Sequence, residues 1–124
     1  MLARSVLHRL PVRARAANLS NYVVLGDEQK LKEILAAEGS KMLYFTATWC
    51  PPCRKIAPMF EKMSKEFADT VFVKIDIDDH GDVATAHKIT SVPTFKAISG
   101  HTVVAEFSGA DEAGLRRSLE LLQK

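Results

Sequence analysis

The chain has 124 residues, 47% of them hydrophobic, which suits one globular domain with an ordinary core. Two cysteines are too few to staple a secreted scaffold, and no apolar stretch approaches the ~20 residues a membrane-spanning helix needs. The net charge of +2 hides a division: residues 1–20 carry Arg4, Arg9, Arg13 and Arg15 and no acid, while the rest holds 13 basic and 15 acidic side chains. The domain itself therefore carries no basic footprint for nucleic acid.

The leader comes first. Leu2, Val6 and Leu10 share one helical face and Arg4 and His8 another, with Pro11 breaking the pattern. An acid-free, Arg-rich amphipathic start is the signature of an organelle transit peptide, so residues 1–20 are read as a leader directing the chain to the mitochondrial matrix. Cleavage is expected somewhere between Arg15 and Ser20. Arginine or histidine interrupts every apolar run, which excludes a secretory signal.

Residues 21–124 form the domain. Tyr22 to Leu25 read as a short strand, closed by Gly26-Asp27. Leu31, Ile34 and Leu35 repeat at helical spacing within 28–38, with Asp27 as N-cap and Gly39 as stop. An apolar run at 42–47 predicts a buried strand, followed by a long helix over about 51–67 with Ile56, Met59, Phe60, Met63 and Phe67 on its apolar side. Pro58 lies inside that helix, where it removes one backbone hydrogen bond and predicts a kink. Val71 to Asp76 is a second core strand, and 80–88 a short helix. Pro93 precedes a strand at 94–98, Ser99-Gly100 signals a hairpin, and 102–107 returns as its partner. Asp111 caps a last helix bearing Leu115, Leu119 and Leu122. The order β-α-β-α-β-α-β-β-α predicts an α/β fold with a mixed central sheet and helices on both faces.

Trp49-Cys50-Pro51-Pro52-Cys53 falls where the central strand gives way to the long helix. A helix start offers unpaired N–H groups and a positive dipole end, which favour thiolate over thiol, and thiolate is the form that exchanges disulfides. Two thiols three residues apart can close into a disulfide and reopen, which makes them a redox couple. Cys50, at the helix start, is expected to be the more exposed sulfur and the nucleophile, with Cys53 resolving the mixed disulfide one turn further in. Pro51 and Pro52 stiffen the link and remove two N–H donors that would otherwise point at Cys50. Arg54 and Lys55 read as solvated charge. His80, His87 and His101 lack a ligand spacing relative to the cysteines, so no metal site is expected. Asp76, Asp78 and Asp79 read as a solvated strand end.

Five features in this order resemble the thioredoxin family over residues 21–124: the Trp49–Cys53 motif, Pro58, Lys74, Val92-Pro93-Thr94, and Ser108-Gly109-Ala110. The resemblance implies a thioredoxin fold and a protein dithiol–disulfide oxidoreductase. No cofactor is implied beyond the redox-active Cys50–Cys53 disulfide. It implies that Trp49 packs beside the disulfide and offers partners an apolar contact. It also implies a cis bond before Pro93, which leaves the Val92 backbone to pair with an extended substrate beside Gly109 and Ala110. Expected partners are disulfide-containing proteins such as peroxiredoxins, with a reductase or a low-molecular-weight dithiol as electron donor, and the protein is expected to act as a monomer.

Two departures stand out. The family usually has Gly-Pro between the cysteines, and a buried acid where this chain has Tyr44. Both departures look like tryparedoxins, which carry a Cys-Pro-Pro-Cys-Arg segment like Cys50 to Arg54 and are reduced by a glutathione-type dithiol. With the acid replaced, water or the Lys74 amine acting through water is the candidate to deprotonate Cys53. A redox-inactive binding module on the same fold is the alternative from a different functional class, and the presence of both cysteines weighs against it.

Overall fold

The computed structural model describes residues 21–123; the leader and its expected cleavage region lie outside them. Among the described residues the elements run β1 (Tyr22–Val24), α1 (Glu28–Ala36), β2 (Ser40–Thr46), α2 (Pro51–Glu66), β3 (Thr70–Asp76), α3 (Gly81–Ala86), β4 (Thr94–Ser99), β5 (Thr102–Ser108) and α4 (Glu112–Leu122). They make a five-stranded sheet in the order β1-β3-β2-β4-β5. β1 and β2 run parallel to β3, and β4 runs antiparallel to both β2 and β5. The element order and the mixed sheet are those expected.

The two-residue period of the strands divides the core between the two faces of the sheet. Met42 and Tyr44 of β2, Phe72 of β3 and Phe95 and Ala97 of β4 pack against Ile56, Phe60 and Met63 of α2 and Leu115, Leu119 and Leu122 of α4. Leu43, Phe45, Val73, Ile75 and Ile98 point the other way, onto Leu31 and Ile34 of α1 and Val83 of α3. Tyr44 sits at the centre of the first layer, stacked on Phe95 with ring centroids 4.9 Å apart and tilted against Phe60 at 4.7 Å. Such pairs add about 0.5–1.5 kcal/mol each beyond the area they bury. Asn21 ties the far end of α2 down, its amide donating to the carbonyls of Ser64 (2.8 Å) and Phe67 (3.2 Å), two of the acceptors a helix end leaves open.

Several boundaries differ from the sequence reading. α1 stops at Ala36 rather than 38, and Gly39 takes φ 104°, so the glycine lies in the connection rather than ending the helix. β2 starts at Ser40, two residues early, because Lys41 is drawn into the strand with its amine buried. α3 spans only Gly81–Ala86; the chain leaves it through Lys88 in the left-handed region at φ 57°. The β4–β5 turn is Gly100-His101, not Ser99-Gly100: Ser99 pairs with Thr102, and Gly100 alone has positive φ (62°), the pattern of a turn with glycine first. α2 continues through Pro58 from Pro51 to Glu66. Asp27 and Asp111 cap α1 and α4 as expected, accepting from the Gln29 and Gly114 N–H groups at 2.9 Å.

Candidate active site

Strand β2 ends at Thr46, and four intervening residues lead into α2 at Pro51. Cys50 is the N-cap of that helix, extended at φ −96°, ψ 111°, and its Sγ accepts the Cys53 N–H at 3.2 Å. Pro51 and Pro52 occupy the first two helical positions, where an N–H would have no partner inside the helix anyway. The prolines therefore cost the helix nothing and leave the Cys53 N–H as the donor that reaches the Cys50 sulfur. Cys50 and Cys53 are joined as a disulfide across a Cα–Cα distance of 5.2 Å.

The expected difference in exposure is small. Cys50 is 3% exposed and Cys53 1%, and both pack with Ala47 against Ile77 and Val92. Their surroundings separate them better. Cys50 is flanked by exposed Trp49, Pro51 and Pro52, whereas Cys53 faces inward from the first turn of α2. Trp49 is 62% exposed and so is no core residue. Its indole N–H donates to Asp78 Oδ2 at 2.9 Å, and Asp76 Oδ1 in turn accepts the Asp78 N–H at 2.8 Å. Asp76 and Asp78 are thus the support of the tryptophan, not merely a solvated strand end. Twenty-nine residues separate Trp49 from Asp78, so no local spacing could have revealed the pair.

The Val92–Pro93 bond is cis, as the resemblance implied. Val92 O lies 3.6 Å from Cys50 Sγ, a contact rather than a hydrogen bond while the sulfur carries no proton. Val92 makes no backbone hydrogen bond among the described residues, which leaves its N–H and C=O for another strand. Gly109, at φ 100°, donates its N–H to Pro93 O at 2.9 Å, so the approach to α4 is pinned to the cis-proline loop. Thr94 Oγ1 donates to Ser91 O at 2.7 Å and lies 2.7 Å from Ser108 Oγ, tying the same loop to the end of β5. Ala110 packs against the core under α2 and α4.

Behind Cys53 lies a cavity of about 170 Å³ lined by Thr46, Ala47, Thr48, Cys53, Arg54, Ala57 and Lys74. Lys74 is the register partner of Tyr44 across β2 and β3. Tyr44 itself is fully buried, and its hydroxyl donates to the Cys53 carbonyl, not to the sulfur, at 2.9 Å. Burial pushes the Tyr44 pKa up, with an opposing hydrogen bond from Thr46; a neutral phenol cannot take up the Cys53 proton. Arg54 crosses the rim, its guanidinium donating to Thr48 O at 2.7 Å. The three histidines among the described residues lie apart, His80 on Leu25 O, His87 beside Lys96 and His101 on Glu38.

The family pattern described as Thioredoxin matches residues 22–120. A thioredoxin of Geodia cydonium is 40% identical over 94 residues, covering 75% of this chain and 87% of that protein. Among solved structures, Fasciola hepatica thioredoxin shares 34% identity at a TM-score of 0.75, covering 80% of this chain and 97% of its own. A yeast structure, described as the structural basis of the thiol resolving mechanism in mitochondrial 1-Cys peroxiredoxin via glutathione/thioredoxin systems, aligns with a TM-score of 0.76 at 25% identity. It covers 82% of this chain and 95% of the other. A cysteine pair at a helix start, faced by a cis-proline and matched over this span, places the chain in the thioredoxin family of protein disulfide oxidoreductases.

Proposed function

We propose that the chain reduces protein disulfides in mitochondria, with Cys50 attacking and Cys53 resolving. The observation that carries the assignment is the N-cap position of Cys50, whose sulfur receives the Cys53 N–H at the positive end of α2. The Cys50 thiolate attacks one sulfur of the substrate disulfide, forms a mixed disulfide and expels the other sulfur as thiolate. Cys53, deprotonated, then attacks Cys50 Sγ and expels the second substrate thiolate. Two electrons pass from the cysteine pair to the substrate, and the Cys50–Cys53 disulfide is left. The cysteine pair itself carries both electrons.

An extended substrate segment docks on the free Val92 backbone between Trp49, Pro93 and Gly109, adding a short strand opposite Cys50. Ala110 borders the groove from its seat on the core. Peroxiredoxins are suitable partners, a choice supported by the yeast structure, and the Arg-rich, acid-free leader supports the mitochondrial address. The protein works as a monomer. A flavoprotein reductase is the first candidate as electron donor. Pro51-Pro52, Arg54 and Tyr44 favour a second donor, a low-molecular-weight glutathione-type dithiol, as in tryparedoxins.

The test is insulin reduction with each donor offered separately. Cys50→Ser should abolish turnover, and Cys53→Ser should accumulate a mixed disulfide with an added peroxiredoxin. Full turnover by Cys50→Ser, or trapping on Cys53 in place of Cys50, would reverse the assignment.

A further inference from the structure

Resolution of the mixed disulfide requires the Cys53 thiol to lose its proton inside the cavity it lines. The other lining side chains are two threonine hydroxyls, two alanines and the cations Arg54 and Lys74; none is a carboxylate or an imidazole. Lys74 is half-buried, and its amine has no side-chain hydrogen bond or ion pair with any described residue. The nearest acid on its own strand face, Asp76, is not among the lining residues and accepts the Asp78 N–H at 2.8 Å. An ammonium has no lone pair, so as a cation Lys74 attracts an anion and accepts no proton. Thr48 and Arg54 are exposed while Thr46 and Cys53 are buried, so the cavity leads from solvent to buried Cys53. About 170 Å³ of such space far exceeds the ~15 Å³ one water needs.

We propose that this cavity binds a small oxyanion, a carboxylate or bicarbonate, between Lys74 and Arg54, and that the anion takes the Cys53 proton. The inference rests on the assignment of Cys53 as resolving thiol. In the step, the S–H bond of Cys53 breaks and an anion oxygen takes the proton. The thiolate then attacks Cys50 Sγ, the Cys50–Cys53 bond forms as the substrate sulfur is expelled as thiolate, and the protonated acid leaves to solvent. Lys74 and Arg54 position the anion and do not themselves react.

The experiment uses the reduced protein and a neutral chromogenic dipyridyl disulfide in stopped flow at neutral pH. Attack by Cys50 releases the first thiopyridone in a second-order phase, and attack by Cys53 releases the second in a first-order phase. Sodium formate is titrated against sodium chloride at constant ionic strength. The first-order phase should accelerate about tenfold and saturate with formate but not chloride, a fraction of the ~10²–10⁴ that a fixed general base supplies. Lys74→Met should remove the saturation, and Lys74→Arg should retain it. A normal first phase with a second phase indifferent to formate, or equally sensitive to chloride, overturns the anion site alone. Saturation that survives in folded Lys74→Met does the same. A missing first phase overturns the cysteine assignment with it.

Discussion

Toward the amino ends of the central strands Lys41 is buried, and toward their carboxyl ends Lys74 is half-buried; the two lysines are used differently. Lys41 is 1% exposed, and its amine donates to the carbonyls of Ala37 and Gly100, the latter at 2.6 Å. It fastens the end of α1 to the β4–β5 turn. Lys74, on the opposite face and beside the redox pair, spends its charge on no side chain among the described residues. A sequestered cation that satisfies backbone carbonyls belongs to the architecture. One left facing a thiol-lined cavity is available for chemistry. The comparison also separates the two sides of the redox pair. The substrate side is built from backbone features, the N-cap, the cis peptide and Gly109, whereas the rear is defined by the side chains of Tyr44, Arg54 and Lys74.

Lys41→Met should break the comparison most visibly. Charge-assisted hydrogen bonds are worth about 1.5–3 kcal/mol each, while relieving a buried charge returns part of that, so we expect a loss of about 2 kcal/mol. Urea unfolding of the oxidised protein would measure it, and insulin reduction by the folded variant should be unchanged. A neutral or stabilising result would remove Lys41 as a structural tie. Tyr44→Phe sharpens the rear side. It keeps the stacking on Phe95 and deletes the hydroxyl's bond to Cys53 O together with its hydrogen bond from Thr46, so about 1 kcal/mol of stability should go. Because that hydroxyl reaches the carbonyl and not the sulfur, the resolving phase should keep its rate; a large slowing would put the phenol on the proton's route.

The sequence carried the order of elements because hydrophobic period is a local property, and strand and helix periods differ plainly in this chain. Leu31 and Ile34, or Leu115, Leu119 and Leu122, declare their face within three or four residues. The redox pair was legible for the same reason, since strand, Cys-x-x-Cys and helix lie within one short segment. What escaped depended on residues distant in the chain. Lys41 looked like the polar edge of an apolar run until Gly100, 59 residues away, supplied its carbonyl. Asp78 looked solvated until the Trp49 ring folded over to it. The hairpin turn moved by one residue because two-residue turns are set by cross-strand register, and Ser99 had a partner in Thr102.

The smallest expected effect comes from a third strand lysine, Lys96, on the same sheet face as Lys41. Its amine donates to His87 O at 2.9 Å, lies 3.4 Å from His87 Nδ1 and 3.9 Å from Glu106. The imidazole is half-buried against Phe45, with ring centroids 5.5 Å apart. Burial, then the Lys96 charge, lowers the His87 pKa below its usual 6.5, and Glu106 offsets part of this. The unfolded chain, with the ordinary value, therefore takes up the proton first as pH falls. Stability should decline from about pH 6.5 downward and level off only once the folded imidazole is also protonated. Urea midpoints at about pH 7 and about pH 5, in wild type and His87→Gln, would read the effect as a difference in slope. Equal slopes would show that Lys96 meets the His87 carbonyl without disturbing its ring, which would make Lys96, like Lys41, a purely architectural cation.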